Sequence, residues 1–320
     1  MSQQLPHEFN EPVTLAIIGG TGLYKLDSLT PVAHLTVSTP WGFPSSPITI
    51  SRTDDGFPIA FLARHGQHHQ YLPSDVPSQA NIAALKKLGV KAIVAFSAVG
   101  SLQQHIKPRD FVIPNQVIDR TKGIRKSTFF EKGFVAHVGF GEPFDLKLNK
   151  LIADSCADVL EGENVKLHSR HTLKDDVTLI CMEGPAFSTR AESRLYRSWG
   201  GSVINMSCLP EAKLAKEAEI SYQMICMSTD YDAWNETEEP VTVETVVGNL
   251  KANSANAHRV AVKLIEVLEP KLKSGEIGED LKHSMKFSVS TADSGKDRAL
   301  LEKMHYLFPG YWPLENSTTR

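Results

Sequence analysis

The chain has 320 residues, 41% of them hydrophobic, enough to bury a large core as one α/β domain with room for an appendage. Its 34 basic and 37 acidic residues are mixed along the sequence and leave a formal net charge of -3, so nothing indicates a basic footprint for nucleic acid. No apolar run approaches the roughly 18 residues of a membrane span, and the first thirteen residues, with Glu8, Glu11 and Pro12, lack the charged-then-apolar order of a secretory signal. The expectation is an intracellular protein with no membrane partner, cytoplasmic, with the nucleus also open.

Taken in order, residues 1–13 read as a flexible N-terminus. The chain then enters Ala16-Ile17-Ile18-Gly19-Gly20-Thr21-Gly22-Leu23, a β-branched apolar run that stops at three glycines in four residues. That pattern predicts a buried strand and a tight turn, in which glycines admit positive φ and Thr21 adds a hydroxyl beside a row of peptide N–H groups suited to an anion. Further apolar runs of strand length fall at 47–50, 58–63, 92–98, 111–118, 177–182, 202–206 and 221–228. Helical spacing of apolar residues lies between several of them, at 80–88, 144–160, 189–199, 209–218 and 244–268. Strands alternating with helices predict a single α/β domain over 14–290, with a mixed central β-sheet flanked by helices and ligands bound at the strands' carboxyl ends. Residues 121–143 read as a long excursion of the kind that is often functional. Beyond Pro270 the pattern weakens, and 291–320 reads as a polar, loosely ordered tail docked in places by its aromatics.

Polar residues gather where the apolar runs stop. Phe61-Leu62-Ala63 leads into Arg64-His65, a fixed positive fork and a titratable ring. Val94-Ala95-Phe96 leads into Ser97-Ala98, and Val203-Ile204-Asn205 into Met206-Ser207. Hydroxyls, a glycine turn and an arginine suit one small oxyanion such as free phosphate, although each segment alone is also compatible with an ordinary turn. There is no Gly-Lys-Ser/Thr after Gly19, so this is no P-loop. A second, acidic cluster ends the run at 221–228. Asp230-Tyr231-Asp232-Ala233-Trp234 places a carboxylate beside aromatic rings, where enclosure raises its pKa and suits it to act as a general acid. Met182-Glu183-Gly184-Pro185-Ala186-Phe187-Ser188-Thr189 adds an aromatic able to stack on a base and a hydroxyl cap for the next helix. The four cysteines, Cys156, Cys181, Cys208 and Cys226, are widely spaced, three of them in apolar runs, and read as buried thiols. The histidines of Arg64-His65-Gly66-Gln67-His68-His69 have no cysteine or acidic company, so no metal site is expected.

These segments together resemble the trimeric nucleoside phosphorylases. The resemblance rests on Ile18-Gly19-Gly20-Thr21-Gly22, Ala63-Arg64-His65-Gly66, Ala98-Val99-Gly100-Ser101-Leu102, Met182-Glu183-Gly184-Pro185 with Phe187-Ser188 and Arg190, Val203-Ile204-Asn205-Met206 and Thr229-Asp230-Tyr231-Asp232, running in order from about residue 14 to residue 289. It implies a pentosyl transfer, the reversible phosphorolysis of a purine nucleoside. The similarity is strongest to the branch that splits 5′-methylthioadenosine into adenine and 5-methylthioribose 1-phosphate, a step in purine and methionine salvage. It implies phosphate binding by Thr21, Arg64, His65, Ser97, Ala98 and Ser207, and purine binding by Phe187, Ser188, Asp230 and Asp232. Met206 would contact ribose, with Ile204, Asn205 and Val246 also in the substrate site. Asp230 would be the acid at N7, with Asp232 helping to hold the purine edge. Phosphate is a co-substrate, and no cofactor is called for. The resemblance further implies a homotrimer in which His137 closes a neighbour's site.

Three departures stand out. Ser97 and Ser207 replace the family's usual threonines and keep the hydroxyl. Ala186 stands where arginine is common. Ser290 replaces an apolar residue expected to wrap the 5′ group. Besides a non-catalytic nucleoside binder, two enzymes compete with this reading. One is a phosphorylase of 6-oxopurine nucleosides. The other is a nicotinamide-dependent dehydrogenase, whose fingerprint lacks its third glycine here, since Lys25 stands near that spacing.

Overall fold

The computed structural model describes residues 5–19, 26, 28–162, 165–237 and 241–314. Its strands are β1 (Leu15–Gly19), β2 (Thr30–Leu35), β3 (Ile48–Arg52), β4 (Pro58–Ala63), β5 (Ala92–Ser101), β6 (Phe111–Ile113), β7 (Gln116–Asp119), β8 (Leu167–Ser169), β9 (Thr178–Cys181), β10 (Gly201–Asn205) and β11 (Ser221–Asp230), all in one mixed sheet. The helices are α1 (Ser78–Lys87), α2 (Leu146–Cys156), α3 (Arg170–Leu173), α4 (Arg190–Ser198), α5 (Glu211–Glu217), α6 (Val243–Ser274) and α7 (Arg298–Met304). The central strands β1, β10 and β11 are buried at every position, as continuous apolar strands covered on both faces must be. Their side chains alternate between two cores. Ile18, Leu62, Ile93 and Ala95 pack on one face with Leu85 of α1 and Leu214 of α5. Ile17, Phe61, Val94 and Phe96 pack on the other with Val260 and Leu264 of α6.

The sheet branches at β5. From Ala92 to Ala95 this strand is paired in parallel with β1 on one edge and β11 on the other. At Gly100 and Ser101 the edge that β1 has left is taken by β10, running antiparallel. Residues 96–99 lie between these two pairings, where β1 and β10 diverge. A crevice at such a switch point exposes backbone groups that a continuous ladder would occupy, which is where open α/β sheets bind ligands.

The expected elements are present with some differences. The run at 111–118 is two strands, because Pro114 interrupts it and β6 and β7 leave in different directions, to β11 and β9. The edge strand β2 and the three-residue β8 escaped a periodicity search because both are short or half-polar. α6 continues through Pro270 to a glycine cap, Gly275 at φ 76. The segment expected as a loosely ordered tail docked in places by its aromatics is docked through them and is packed more fully than expected as far as residue 314. Leu301 and Met304 of α7, with Phe308 and Trp312, are buried in the principal core, where the Trp312 ring lies 5.0 Å from that of Phe134 and 6.3 Å from that of Phe130. Polar surroundings concealed Leu301 and Met304, while the aromatics dock as expected.

Candidate active site

A cavity of about 380 Å³ opens at the branch in the sheet. Arg64 and His65 reach it from the end of β4, Ser97 and Ala98 from the open edge of β5, Ile204, Asn205, Met206 and Ser207 from the end of β10, and Asp230 and Asp232 from the end of β11. Phe187 comes from the loop before α4 and Val246 from the first turns of α6. Twelve of the residues expected in the site therefore share one cavity. Ser188 is buried behind it, its hydroxyl 3.5 Å from Met182 Sδ. Thr21 and its neighbouring glycines lie outside the described residues. His137 does not line the cavity of its own chain. It is exposed, and its backbone N–H donates to Ser288 O at 2.9 Å.

One half of the cavity is built for an anion. Arg64 is only 2% exposed, and its guanidinium is held in a fork by Glu211, with Nε to Oε2 at 2.8 Å and Nη2 to Oε1 at 2.9 Å. Tyr222 Oη donates to Glu211 Oε1 at 2.7 Å, and Arg64 Nη1 donates to Phe96 O at 3.0 Å. Burial opposes the charge on Arg64, but the Glu211 carboxylate outweighs it and the pKa stays raised, so the arginine is a fixed cation. Asn205 Nδ2 donates to Ser97 Oγ at 3.1 Å and to Ser207 Oγ at 3.3 Å, and the two hydroxyls are 2.9 Å apart. Its amide thus sets a pair of hydroxyls rather than standing free for a ligand. Burial first, and then the Arg64 charge, push the His65 pKa down to about 4. The ring is neutral near pH 7. Its Nδ1 lies 3.0 Å from Tyr71 O, and because a carbonyl only accepts, the proton sits there and Nε2 is an acceptor. A neutral acceptor beside a fixed cation and two hydroxyls suits a protonated oxyanion.

The other half is acidic. Asp230 Oδ2 accepts from Thr229 Oγ1 at 2.7 Å and Oδ1 from the Asp232 N–H at 2.8 Å. Burial raises its pKa against both bonds. Asp232 is raised to about 6, by burial and then by the Asp230 charge, with Ser193 and Ser188 opposing the rise. Asp232 also holds φ 50, a left-handed conformation that aspartate tolerates better than most side chains and that is often found at functional sites. Gly100 lets β5 come this close, since a Cβ there would sit 3.0 Å from Asp230 Oδ1 and 3.1 Å from Ile204 Cγ2. Two carboxyls whose pKa values burial raises, in one cavity with a fixed cation, can share a proton with a ligand whose anionic part the cation holds.

Residues not singled out from sequence complete the walls. Val243, Val247 and Leu250 join Val246 along one face of α6, an apolar stripe at helical spacing that any core-facing helix also shows. His69 stacks on His65 with ring centroids 4.5 Å apart. Glu211 and Tyr222 had no local signal, because only the fold brings them to Arg64.

The sequence profile described as the Phosphorylase superfamily matches residues 14–266, most of the chain. The fold and cavity are thus those of a phosphorylase-superfamily domain. The S-methyl-5′-thioadenosine phosphorylase of Candida albicans is 73% identical over 317 residues, covering 97% of this chain and 92% of that protein. That of Yarrowia lipolytica is 65% identical over 308 residues and covers 96% of both. Among solved structures, a methylthioadenosine phosphorylase from an antarctic soil metagenomic library superposes with a TM-score of 0.83 at 38% identity, covering 94% of this chain and all of that one. The Schistosoma mansoni enzyme in complex with adenine gives 0.73 at 30% identity, covering 85% and 98%. The chain belongs to the S-methyl-5′-thioadenosine phosphorylase family.

Proposed function

We propose that the protein is a pentosyltransferase that catalyses the reversible phosphorolysis of 5′-methylthioadenosine. Phosphate forms a bond to C1′ as the bond from C1′ to N9 of the base breaks, giving 5-methylthioribose 1-phosphate and, after N7 or N9 takes a proton, adenine. The observation that carries this reading is that Arg64, Ser97 and Ser207 line the same cavity as Asp230 and Asp232. The reaction needs a nucleophile held under the sugar and an acid at the base, at separate ends of one ligand. Arg64 and the hydroxyl pair hold phosphate, and His65 Nε2 accepts its remaining proton. The phosphate charge steadies the oxocarbenium ion that develops as the glycosidic bond lengthens. Asp230 gives or shares a proton at N7, an effect of about 10²–10⁴-fold for a positioned acid, and Asp232 helps to hold the purine edge. Phe187 offers its ring to the purine face, and the valines of α6 give an apolar wall suited to a methylthio group.

The reading includes a homotrimer, with His137 acting at a neighbouring copy's site, and chemistry that calls on no cofactor. In support, His137 is exposed on a segment stitched to 288–291, beside Phe287, which is 84% exposed. Incubation of the protein with methylthioadenosine, with and without phosphate, tests the reaction. Free adenine is expected only with phosphate and undiminished by EDTA. No phosphate-dependent release would overturn the proposal.

A further inference from the structure

The excursion at 121–143 sends one charged side chain inward. Arg125 is buried, and its guanidinium donates four hydrogen bonds: Nε to Glu183 Oε2 at 2.9 Å, Nη2 to Glu183 O at 2.7 Å, and Nη1 to Met206 O at 2.6 Å and to Leu209 O at 2.7 Å. The acceptors lie just past the ends of β9 and β10. The last backbone bond between the two strands' continuations is Met182 N to Asn205 O at 2.9 Å, after which the chains part. One leads to Phe187 and Ser188, the other to Met206 and Ser207. Carbonyls released from a ladder and buried need other donors, and here three of them and a carboxylate converge on one plane. Only a guanidinium offers a rigid fan of five N–H groups to such a set. Four are committed to protein acceptors, which leaves one. The contact it secures is close. Gly184, at φ 72, lies so near Met206 that a Cβ would sit 2.3 Å from its sulfur. Glu183 Oε1 is buried and has no hydrogen bond among the described residues, which leaves Arg125 as that carboxylate's compensation.

We propose that Arg125 is a positioning residue that clamps the segment carrying Phe187 and Ser188 to the segment carrying Met206 and Ser207. It thereby fixes the distance between the base-holding and phosphate-holding halves of the site. The inference rests on the function proposed above. It predicts a signature that neither a ligand nor a remote structural residue gives: the KM values for phosphate and for methylthioadenosine rise together, and kcat falls, in a protein that remains folded. A displacement of about 1 Å between reacting groups lowers kcat/KM by about 10²-fold, which is the expected scale.

The test compares wild type, Arg125→Lys and Arg125→Met by steady-state kinetics with each substrate varied, alongside circular dichroism and thermal unfolding. Lysine keeps the charge but cannot span the four acceptors, so it should restore part of the melting temperature and little of either KM. Wild-type constants in a folded Arg125→Met, or full recovery by lysine, would overturn the clamp. A rise confined to the phosphate KM would overturn it in favour of direct anion binding. If both variants fail to fold, Glu183→Gln replaces them, since it loses the charge-assisted bond alone. Both KM values should then rise, by roughly tenfold, and unchanged constants would again refute the proposal. Wild type assayed in parallel separates the two levels: no turnover by wild type refutes the function, whereas equal turnover by wild type and folded variants refutes only the clamp.

Discussion

Arg64 illustrates how one residue is given its chemistry by another far away in sequence. Its fork is closed by Glu211, buried alongside it, so Arg64→Ala removes a phosphate contact and also strands a buried carboxylate. Breaking such a pair costs about 3–5 kcal/mol, whereas exchanging both partners for apolar groups is often nearly neutral. The double variant Arg64→Met, Glu211→Leu is therefore expected to melt within a few degrees of wild type while its phosphate KM stays far above normal and its nucleoside KM moves little. Equal rises in the two KM values would remove Arg64 from the phosphate site. Asp232 carries a pH dependence of stability. Its folded pKa, about 6, lies above the ordinary value of 3.8, so the folded state holds the proton more tightly than the unfolded one. Stability is lost relative to a neutral isostere as pH rises from about 4 through 6. Asp232→Asn should match wild type near pH 4 and exceed it by up to about 3 kcal/mol at pH 8, measured by urea unfolding. An unchanged difference across that range would refute the shift. Asp230 bears on specificity. A proton-sharing carboxyl accepts from a 6-amino group and donates to N7, while a 6-oxo group meets an acceptor. Asp230→Asn should move the ratio of kcat/KM values from methylthioadenosine toward inosine, and a ratio that does not move would show that Asp230 does not read the 6-position.

At the scale of elements, the site depends on strands that end at different heights. β1 stops level with Ala95, β10 pairs at Gly100 and Ser101, and the gap between them is the anion half of the cavity. The helices that follow these strands are anchored independently. α4 begins at a capping box in which Thr189 Oγ1 accepts from the Glu192 N–H at 3.2 Å and Glu192 Oε2 accepts from the Thr189 N–H at 2.8 Å. The C-terminal segment is likewise an element of the core. Trp312 Nε1 donates to Lys286 O at 3.3 Å, and Tyr311 Oη donates to Glu219 Oε2 at 2.7 Å. The first ties the end of this segment to Lys286 near its start, and the second ties it to Glu219 in the turn before β11. Trp312→Ala should destabilise the fold by about 3–5 kcal/mol, read as a lower urea midpoint, as for other buried aromatics. A midpoint within error of wild type would mean that the segment is dispensable.

At the scale of the whole molecule, the proposed shared site makes activity a property of the assembly. Val135 N donates to Thr291 Oγ1 at 2.8 Å and Ser290 N to Val135 O at 3.0 Å, so the segment bearing His137 is braced by the chain that follows α6. Ser290, where an apolar residue was expected, adds a bond from its Oγ to the same Val135 carbonyl at 3.3 Å, which an apolar side chain could not make. His137→Ala and Asp230→Ala subunits, each inactive alone, should regain part of their activity when mixed and allowed to exchange. No recovery in hybrids verified by mass would place His137 outside the site.

Arg64, Ser207 and Asp230 were legible in the sequence because long apolar runs end just before them and mark where strands reach the ligand edge, and Ser97, where the run also stops, lies partway along β5, which continues to Ser101. Spacing also disclosed α6 and the helix that Thr189 caps, since periodicity and caps are local. Glu211, Tyr222 and Arg125 were not legible. Their partners lie 147, 11 and up to 84 positions away, and a buried ion pair or a carbonyl clamp leaves no periodic trace. The tail was legible only in part: its aromatics marked docking points, but α7 with Leu301 and Met304 lies in polar surroundings, and only the hydrophobic surface of Phe130 and Phe134 decides where Phe308 and Trp312 are buried. Local sequence determined which side chains could do chemistry. The tertiary structure decided which of them meet and in what charge state, because convergence and desolvation arise only when distant strands share one sheet.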